Sequence, residues 1–184
     1  MSLLVTGCAG FNGSNFVTFS LDKHPERKLI GLDLLTYAEN LDNLRDALTH
    51  PTFTFVKGDI CDADTVEKLF EQYHIERVIH FAAESHVDRS IHDPQVFLKT
   101  NILGTQTLLD CAQRYWQDGN GWVPGCKFLQ VSTDEVYGAL GPTGRFTEQT
   151  PLDPHSPYAA SKASADMIVK AYFDTYGLPV TITR

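Results

Sequence analysis

The fold is decided by the stretch Thr6-Gly7-Cys8-Ala9-Gly10-Phe11-Asn12-Gly13-Ser14-Asn15, which follows a short apolar run and opens a helix-like pattern. Its glycines at positions 7, 10 and 13 form a G-x-x-G-x-x-G spacing. Such a spacing permits a tight turn, close backbone approach to a pyrophosphate, and close packing of a helix on a strand. The following helix N-terminus supplies N–H donors and a partial positive charge. Three spaced glycines also occur in unrelated turns, so the rest of the chain decides the interpretation.

Apolar runs of strand length alternate with helix-like stretches along the chain. The predicted strands are Leu3–Thr6, Lys28–Leu34, Thr52–Lys57, Arg77–Phe81, Lys127–Ser132 and Val180–Thr183. The main predicted helices are Gly13–Lys23, Asp62–Tyr73, Pro94–Trp116 and Tyr158–Tyr176. This alternation predicts right-handed β-α-β units, and hence an α/β fold with a Rossmann-type, doubly wound parallel sheet and helices on both faces. The strands are continuous apolar runs, as expected for a sheet that is covered on both sides. We interpret residues 1–184 as one domain.

Composition excludes several classes of protein. The net charge of −8 over 184 residues argues against a nucleic-acid partner, which a basic face would bind. No apolar run approaches the ~18 residues that a membrane span needs. The four cysteines are dispersed without a C-x-x-C pair, and no ligand cluster surrounds His80 or His86. The sequence therefore predicts no metal site, reduced thiols and a cytoplasmic location, with both histidines structural.

Two carboxylates point to the identity of a bound dinucleotide. Asp33 ends the second predicted strand twenty residues after Gly13, where a carboxylate meets the adenosine ribose hydroxyls. Residues 34–37 contain no Arg or Lys to neutralise a 2′-phosphate, which favours NAD over NADP. Asp59 ends the third strand, where it could accept a hydrogen bond from the adenine amino group or simply stabilise the strand-end turn.

A second set of residues suggests catalysis. Tyr158 and Lys162 are four residues apart and therefore share one helical face. A neighbouring ammonium and a nicotinamide cation would lower the pKa of the phenol, which could then take a proton from an alcohol. Asp134 and Glu135 follow the fifth strand, at the sheet edge where ligands bind, although solvated acids in a turn would give the same sequence. Two adjacent carboxyl groups in different surroundings can divide into an acid and a base.

These motifs resemble those of the extended short-chain dehydrogenase/reductase superfamily, and within it the dTDP-glucose 4,6-dehydratase family. The superfamily resemblance depends on residues 6–15 and on Tyr158–Lys162. The family resemblance depends on Ser132–Gly138 and on the run Glu84-Ser85-His86-Val87-Asp88-Arg89-Ser90. It covers all 184 residues and implies an NAD-dependent lyase of deoxysugar biosynthesis that acts on a nucleotide sugar.

The resemblance implies a role for each matching catalytic residue. Tyr158, with Lys162 beside it, would take the C4 hydroxyl proton as hydride passes to NAD. Glu135 would then remove the C5 proton, and a protonated Asp134 would donate to the C6 hydroxyl as water leaves. Hydride return to C6 would give the 4-keto-6-deoxy sugar. Thr133 would hydrogen-bond the sugar near its C4 oxygen.

The resemblance also implies a cofactor site, in which Ser85 faces the substrate as well. The expected cofactor-contacting positions are Gly7, Gly10, Phe11, Asn12, Gly13, Asp33, Leu34, Leu35, Thr36, Asp59, Ile60, Phe81, Ala82, Ala83, Ser85, Thr100, Tyr158 and Lys162.

Two further expectations follow from the resemblance. Family members continue into a small C-terminal substrate-binding domain, so the chain is expected to be the N-terminal portion, without that domain. A homodimer is expected through the two long helices Pro94–Trp116 and Tyr158–Tyr176. Two alternatives stay open: a nucleotide-sugar epimerase or decarboxylase, which would need neither Asp134 nor Glu135, and a catalytically inactive NAD-binding fragment.

Overall fold

The computed structural model describes residues 1–36, 40–119 and 121–184. The strands are β1 (Ser2–Thr6), β2 (Lys28–Asp33), β3 (Phe53–Lys57), β4 (Arg77–His80), β5 (Lys127–Val131) and β6 (Val180–Thr183). The α-helices are α1 (Phe11–Lys23), α2 (Ala63–Tyr73), α3 (Val87–His92), α4 (Pro94–Phe97), α5 (Thr105–Trp116) and α6 (Pro157–Tyr176). A π-helical segment, Leu98–Gly104, joins α4 to α5, and short 3₁₀ turns occupy Leu41–Leu44, Ala47–Thr49 and Asp134–Tyr137.

The six strands form one parallel sheet in the order β3-β2-β1-β4-β5-β6. The predicted doubly wound α/β fold is therefore confirmed. The chain reverses its direction of winding between β1 and β4, and in such sheets ligands bind at the carboxyl ends of the strands beside this point.

Side chains of the central strands alternate between two apolar layers. Leu4 of β1 packs with α2, α5 and α6, where Phe70, Leu108 and Val169 belong to the same buried cluster. Leu3 and Val5 belong to a second buried cluster that includes side chains of α1. Because β1 is buried on both faces, its last residue delivers the chain to a fixed position at the carboxyl edge of the sheet.

The predicted helix over residues 94–116 forms as one helical run, but its middle is π-helical. A π segment accommodates one extra residue per turn. Here the Asn101 amide is held by the backbone of Glu84 through two hydrogen bonds of 2.8 and 2.9 Å. A Cβ on Gly104 would lie 2.5 Å from Ile60 Cδ1, so a larger residue there would force the Ile60 side chain to move. The six-residue helix α3 was not predicted.

Two long connections lie between the regular elements. Residues 138–156 contain no regular element in the structure, and Phe146 and Leu152 anchor them on Val136, Tyr137 and Ala163. Residues 117–126 form a surface turn closed by pairing of Gln117 with Trp122, and Asn120 lies outside the described residues. Among the described residues, no helix has both the length and the apolar character needed to span a membrane.

Candidate cofactor and catalytic site

The turn after β1 leaves no room for a side chain at positions 7 and 13. Gly7 has φ +66°, and a Cβ on it would lie 2.6 Å from the backbone nitrogen of Ala82. A Cβ on Gly13 would lie 2.0 Å from the carbonyl oxygen of Gly7, whereas one on Gly10 would approach that oxygen only to 3.5 Å. Gly7 and Gly13 are therefore required for the turn to close against β4 and α1. Gly10 leaves space above the turn, and α1 begins at the next residue with its N-terminus facing that space.

Asp33 is fixed directly beneath this turn, at the end of β2. Its side chain accepts the Ala9 N–H at 2.8 Å and the Leu35 N–H at 2.9 Å, and the residue is 4% exposed. Asp59, at the end of the neighbouring strand, accepts the Cys61 N–H at 2.8 Å. That bond matches the turn-stabilising interpretation of Asp59. Tyr37, which belongs to the segment used above to favour NAD, lies outside the described residues.

A cavity of about 270 Å³ opens at the carboxyl edge of the sheet, above the glycine turn. Beside it lies a smaller cavity of about 50 Å³ next to Asp33 and Asp59. Nearly all of the expected cofactor positions line these two cavities. They are Gly7, Gly10, Phe11, Asn12, Gly13, Asp33, Leu34, Thr36, Asp59, Ile60, Phe81, Ala82, Ala83, Ser85, Thr100, Tyr158 and Lys162. Leu35 lines neither cavity and packs instead on the apolar layer of α1. A larger cavity of about 490 Å³, beside Phe16 and Leu129, contains none of the predicted site residues.

The helix α6 brings Tyr158 and Lys162 to the cavity of about 270 Å³ above the glycine turn. Ser156 caps the helix by accepting the Ala159 N–H at 3.0 Å, and Pro157 occupies its first turn. Lys162 is 3% exposed and donates from Nζ to the Val131 carbonyl at 2.7 Å. Burial lowers the pKa of Lys162 to about 8, and the charge of Asp166 opposes that fall.

The pKa of the Tyr158 phenol is shifted in the opposite direction to the one expected from the sequence. In the chain itself burial raises the pKa of Tyr158, the negative charges of Glu135 and Asp134 add to the rise, and a hydrogen bond with Thr133 opposes it. From the sequence we expected the Lys162 ammonium and a nicotinamide cation to lower the pKa of Tyr158. Desolvation, which that argument left out, dominates because Tyr158 is buried against Phe97 and the end of β5.

The two predicted carboxylates stand in a short 3₁₀ turn directly after β5. Thr133 caps this turn by accepting the Glu135 N–H at 3.3 Å. Val136 and Tyr137 are buried beneath the turn, so Asp134 and Glu135 project outward and are exposed. Thr133, Asp134 and Glu135 therefore lie near enough to the Tyr158 phenol to influence its pKa, although none of the three lines the cavity above the glycine turn or the smaller one next to Asp33.

A buried chain of hydrogen bonds, not found by the sequence analysis, supports the site from below. The Ala82 N–H donates to Thr6 Oγ1, which lies 2.6 Å from His80 Nδ1. His80 Nε2 lies 3.0 Å from Thr105 Oγ1, and Thr105 donates to the Asn101 carbonyl at 2.7 Å. These partners assign the proton of His80 to Nε2. His80 is thus structural, as predicted.

The same chain of hydrogen bonds continues to α6. The Asn101 amide donates to Ser161 Oγ at 2.8 Å, and Ser161 donates to the Tyr158 carbonyl at 2.7 Å. The glycine turn and the tyrosine are therefore connected through β4 and the π-helical segment. A buried Asn inside a helical pattern was the one available signal for this connection, because such a residue needs several partners.

A Rossmann-type sheet with a glycine turn after β1, an acid after β2 and a tyrosine–lysine pair on α6 defines a short-chain dehydrogenase/reductase. The model of the family described as GDP-mannose 4,6 dehydratase matches residues 4–184. The chain belongs to this family, and the resemblance drawn from its motifs is confirmed.

Individual relatives agree with this assignment. A dTDP-glucose 4,6-dehydratase of Xanthomonas campestris pv. campestris is 49% identical over 98% of this chain and 51% of its own length. The solved dTDP-glucose 4,6-dehydratase of Streptomyces venezuelae, with NAD and TYD bound, is 48% identical with a TM-score of 0.88, over 100% of this chain and 55% of its own. A UDP-glucose 4-epimerase of Thermus thermophilus, in complex with NAD, is 32% identical with a TM-score of 0.85, over 100% and 54%. The chain thus spans about half the length of the relatives it matches.

The buried imidazole makes the fold sensitive to acid. Burial lowers the pKa of His80 to about 3, so between that pH and about 6.5 the unfolded chain binds a proton that the folded chain does not. The free energy of unfolding then falls with decreasing pH, by up to about 1.4 kcal/mol per pH unit from this residue. We expect His80→Gln to reduce this dependence in urea unfolding measured between pH 7 and 4.

The exposed His92 provides the matched control, since His92→Gln removes a histidine without altering a buried partner. Equal pH dependence in the wild type and in His80→Gln would contradict the assignment of acid sensitivity to His80.

Proposed function

We propose that this chain supplies the cofactor-binding and catalytic residues of a dTDP-glucose 4,6-dehydratase. One observation carries the proposal: the charges of Asp134 and Glu135 and the hydroxyl of Thr133 act on the phenol of Tyr158, and Lys162 lies one helical turn away on α6. An oxidation alone would need only the tyrosine and the lysine. The two additional carboxyl groups at the same edge suit an elimination of water, which requires one group to remove a proton and another to donate one.

We also propose NAD as the cofactor, and the residues present fit it. The side-chain-free surface at Gly7 and Gly13 and the free N-terminus of α1 suit a pyrophosphate. Asp33, held rigidly by two backbone N–H groups, suits the hydroxyls of an adenosine ribose and would repel a phosphate there. The NAD bound in the solved dehydratase and epimerase relatives supports this choice. When bound, the cofactor would supply oxidation at the sugar C4 carbon and, after water has left, reduction at C6.

The residues of the chain then act in sequence. Tyr158 takes the C4 hydroxyl proton, helped by the hydrogen bond with Thr133 that favours the phenolate. The Lys162 ammonium, one turn further along α6, would add to this help. The resulting ketone acidifies the C5 proton, which Glu135 removes. Asp134 donates a proton to the C6 hydroxyl as water leaves. Ser85, exposed beside the cavity, faces the sugar.

The curated relatives favour a dehydratase over the alternatives. Identity is 49% with the Xanthomonas dehydratase but 32% with the Thermus epimerase, although both comparisons cover essentially the whole chain. An epimerase also has no use for a proton donor directed at C6. A catalytically inactive NAD-binding fragment would bind the cofactor without turning over a sugar.

We further propose that the chain is a cytoplasmic homodimer. The described cysteines, Cys8, Cys61, Cys111 and Cys126, are all free, which suits a reducing compartment. Large apolar side chains remain exposed on the helices that the sequence assigns to an interface. Leu98 is 49% exposed, Leu103 54% and Met167 59%. Pairing of these helices with those of a second copy would remove this apolar area from water.

The catalytic assignment predicts two variants with a split phenotype. Asp134→Asn and Glu135→Gln should spare oxidation at C4 and block loss of water, because each removes one proton transfer of the elimination. Absorbance of the reduced cofactor and the mass of the sugar product measure the two steps separately. Glu148→Gln, which changes an exposed carboxylate in the neighbouring loop, is the matched control and should behave as wild type. Unchanged product formation by the two variants would refute the assignment.

The proposed interface predicts dimers in sedimentation equilibrium and their dissociation by Met167→Glu, which places a charge on α6. Leu48→Glu introduces the same charge at an apolar residue of similar exposure, outside these helices, and should leave the dimer intact. A monomeric wild-type chain would contradict the proposal.

A further inference from the structure

A third carboxylate lies beneath the proposed catalytic pair. Asp166 follows Lys162 by one turn of α6 and is 1% exposed. Its Oδ2 accepts hydrogen bonds of 2.8 Å from Ser132 Oγ and 2.8 Å from Arg184 Nε. Its Oδ1 is buried, and no hydrogen-bond partner for it is found among the described residues. A carboxylate buried this deeply is costly unless nearby cations compensate for its charge.

The same two elements hold the ammonium of Lys162. Lys162 donates to the carbonyl of Val131, and Ser132, the next residue, donates to Asp166. Two consecutive residues at the end of β5 therefore bind two residues of α6 that are one turn apart. This arrangement fixes an ammonium and a carboxylate side by side on the buried face of the helix. The buried cation thereby has a counter-charge that does not touch the cavity.

The other titratable groups around Lys162 do not replace Asp166. From β4, His80 is neutral because burial keeps its pKa near 3. On α6 itself, the Tyr158 phenol is neutral because its pKa is raised. After β6, Arg184 is a cation that pairs with Asp166 and also lies over the ring of Tyr137.

Acidic groups at the rim of the cavity have other contacts. Glu84, which follows β4, pairs with Arg89 at 3.3 Å. Asp134 and Glu135 face the phenol of Tyr158 from the end of β5. Asp166 is therefore the acid that the packing of β5 against α6 assigns to the lysine.

We propose that Asp166 is a positioning residue that keeps Lys162 protonated and directed at the end of β5, with Ser132 and Arg184 holding the carboxylate in place. This role of Asp166 rests on the proposed function, in which the Lys162 ammonium assists Tyr158. Arg184 shares the charge of Asp166 and so limits the influence of Asp166 on Lys162. Asp166 therefore helps Lys162 to stay protonated near neutral pH without forming a direct ion pair with it.

The sign of the expected effect follows from the charges. Burial already lowers the pKa of Lys162 to about 8, close to neutrality, and Asp166 raises it. Removal of the carboxylate charge should therefore lower the pKa of Lys162 further, and the ammonium would be lost at a lower pH. An opposite charge at this range typically changes proton affinity at least about tenfold, which is about one pH unit.

Heteronuclear NMR of the lysine side chains in the 184-residue chain measures this directly, with Lys162→Met assigning the Lys162 signal. We expect the Lys162 titration midpoint to fall by about one pH unit or more in Asp166→Asn. Asp174→Asn is the matched control, because Asp174 lies on the same helix, is exposed and pairs with Lys170. A midpoint that is unchanged in Asp166→Asn, or that falls equally in Asp174→Asn, would overturn the proposal.

Arg184→Gln covers the case in which Asp166→Asn does not fold. It keeps the carboxylate and removes the cation that shares its charge, so the midpoint of Lys162 should rise. A fall or no change would overturn the proposal. Neither titration uses a cofactor or a sugar, so failure of the dehydratase assignment would not alter these results, and their failure would leave that assignment standing.

Discussion

The contact between Gly13 and the carbonyl of Gly7 is the constraint on which the rest of the site depends. A single Cβ at position 13 would come within 2.0 Å of that oxygen, and one at position 7 would strike the backbone of Ala82. The turn is therefore compressed between the end of β4 and the start of α1. This compression directs the N-terminus of α1 to the carboxyl edge of the sheet, next to the point where the winding reverses.

The opposite wall of the site, formed by β5 and α6, depends on two buried charged side chains, Lys162 and Asp166. β5 and α6 are joined by the hydrogen bonds from Lys162 to Val131 and from Ser132 to Asp166, so α6 is fixed relative to the strand that leads to Asp134 and Glu135. The hydrogen-bond chain through His80 connects this wall to the glycine turn. A continuous chain of hydrogen bonds therefore joins the two walls, so the protein itself sets the shape of the space between them. Preorganisation of this kind reduces the free-energy cost of binding and of aligning reacting groups.

Much of the fold follows from the sequence because each element carries its own local signal. The sixth strand was predicted with its observed bounds, Val180–Thr183, since a β-branched run follows a helix that ends at a glycine. Tyr158 and Lys162 were predicted from their four-residue spacing taken together with the glycine motif, and both line the cavity above the glycine turn. The π-helical segment Leu98–Gly104 was not, because its extra residue is stabilised by a tertiary contact of Asn101 with the backbone of Glu84.

The electrostatics of the site were equally hidden from the sequence. The raised pKa of Tyr158 comes from burial by several elements that meet only in the fold. In the sequence Asp166 looks like an ordinary helical acid, because Ser132 and Arg184, which donate hydrogen bonds to it in the fold, are distant along the chain. Local patterns therefore identify which residues the site contains, whereas packing determines which of them are charged.

Calorimetric titration of the 184-residue chain with NAD, and in parallel with NADP, tests the central claim most directly. The turn at Gly7 and Gly13 and the fixed carboxylate of Asp33 predict saturable binding of NAD at one site. They also predict much weaker binding of NADP, whose 2′-phosphate would meet Asp33. A folded chain that binds neither dinucleotide, or that prefers NADP, would contradict the account.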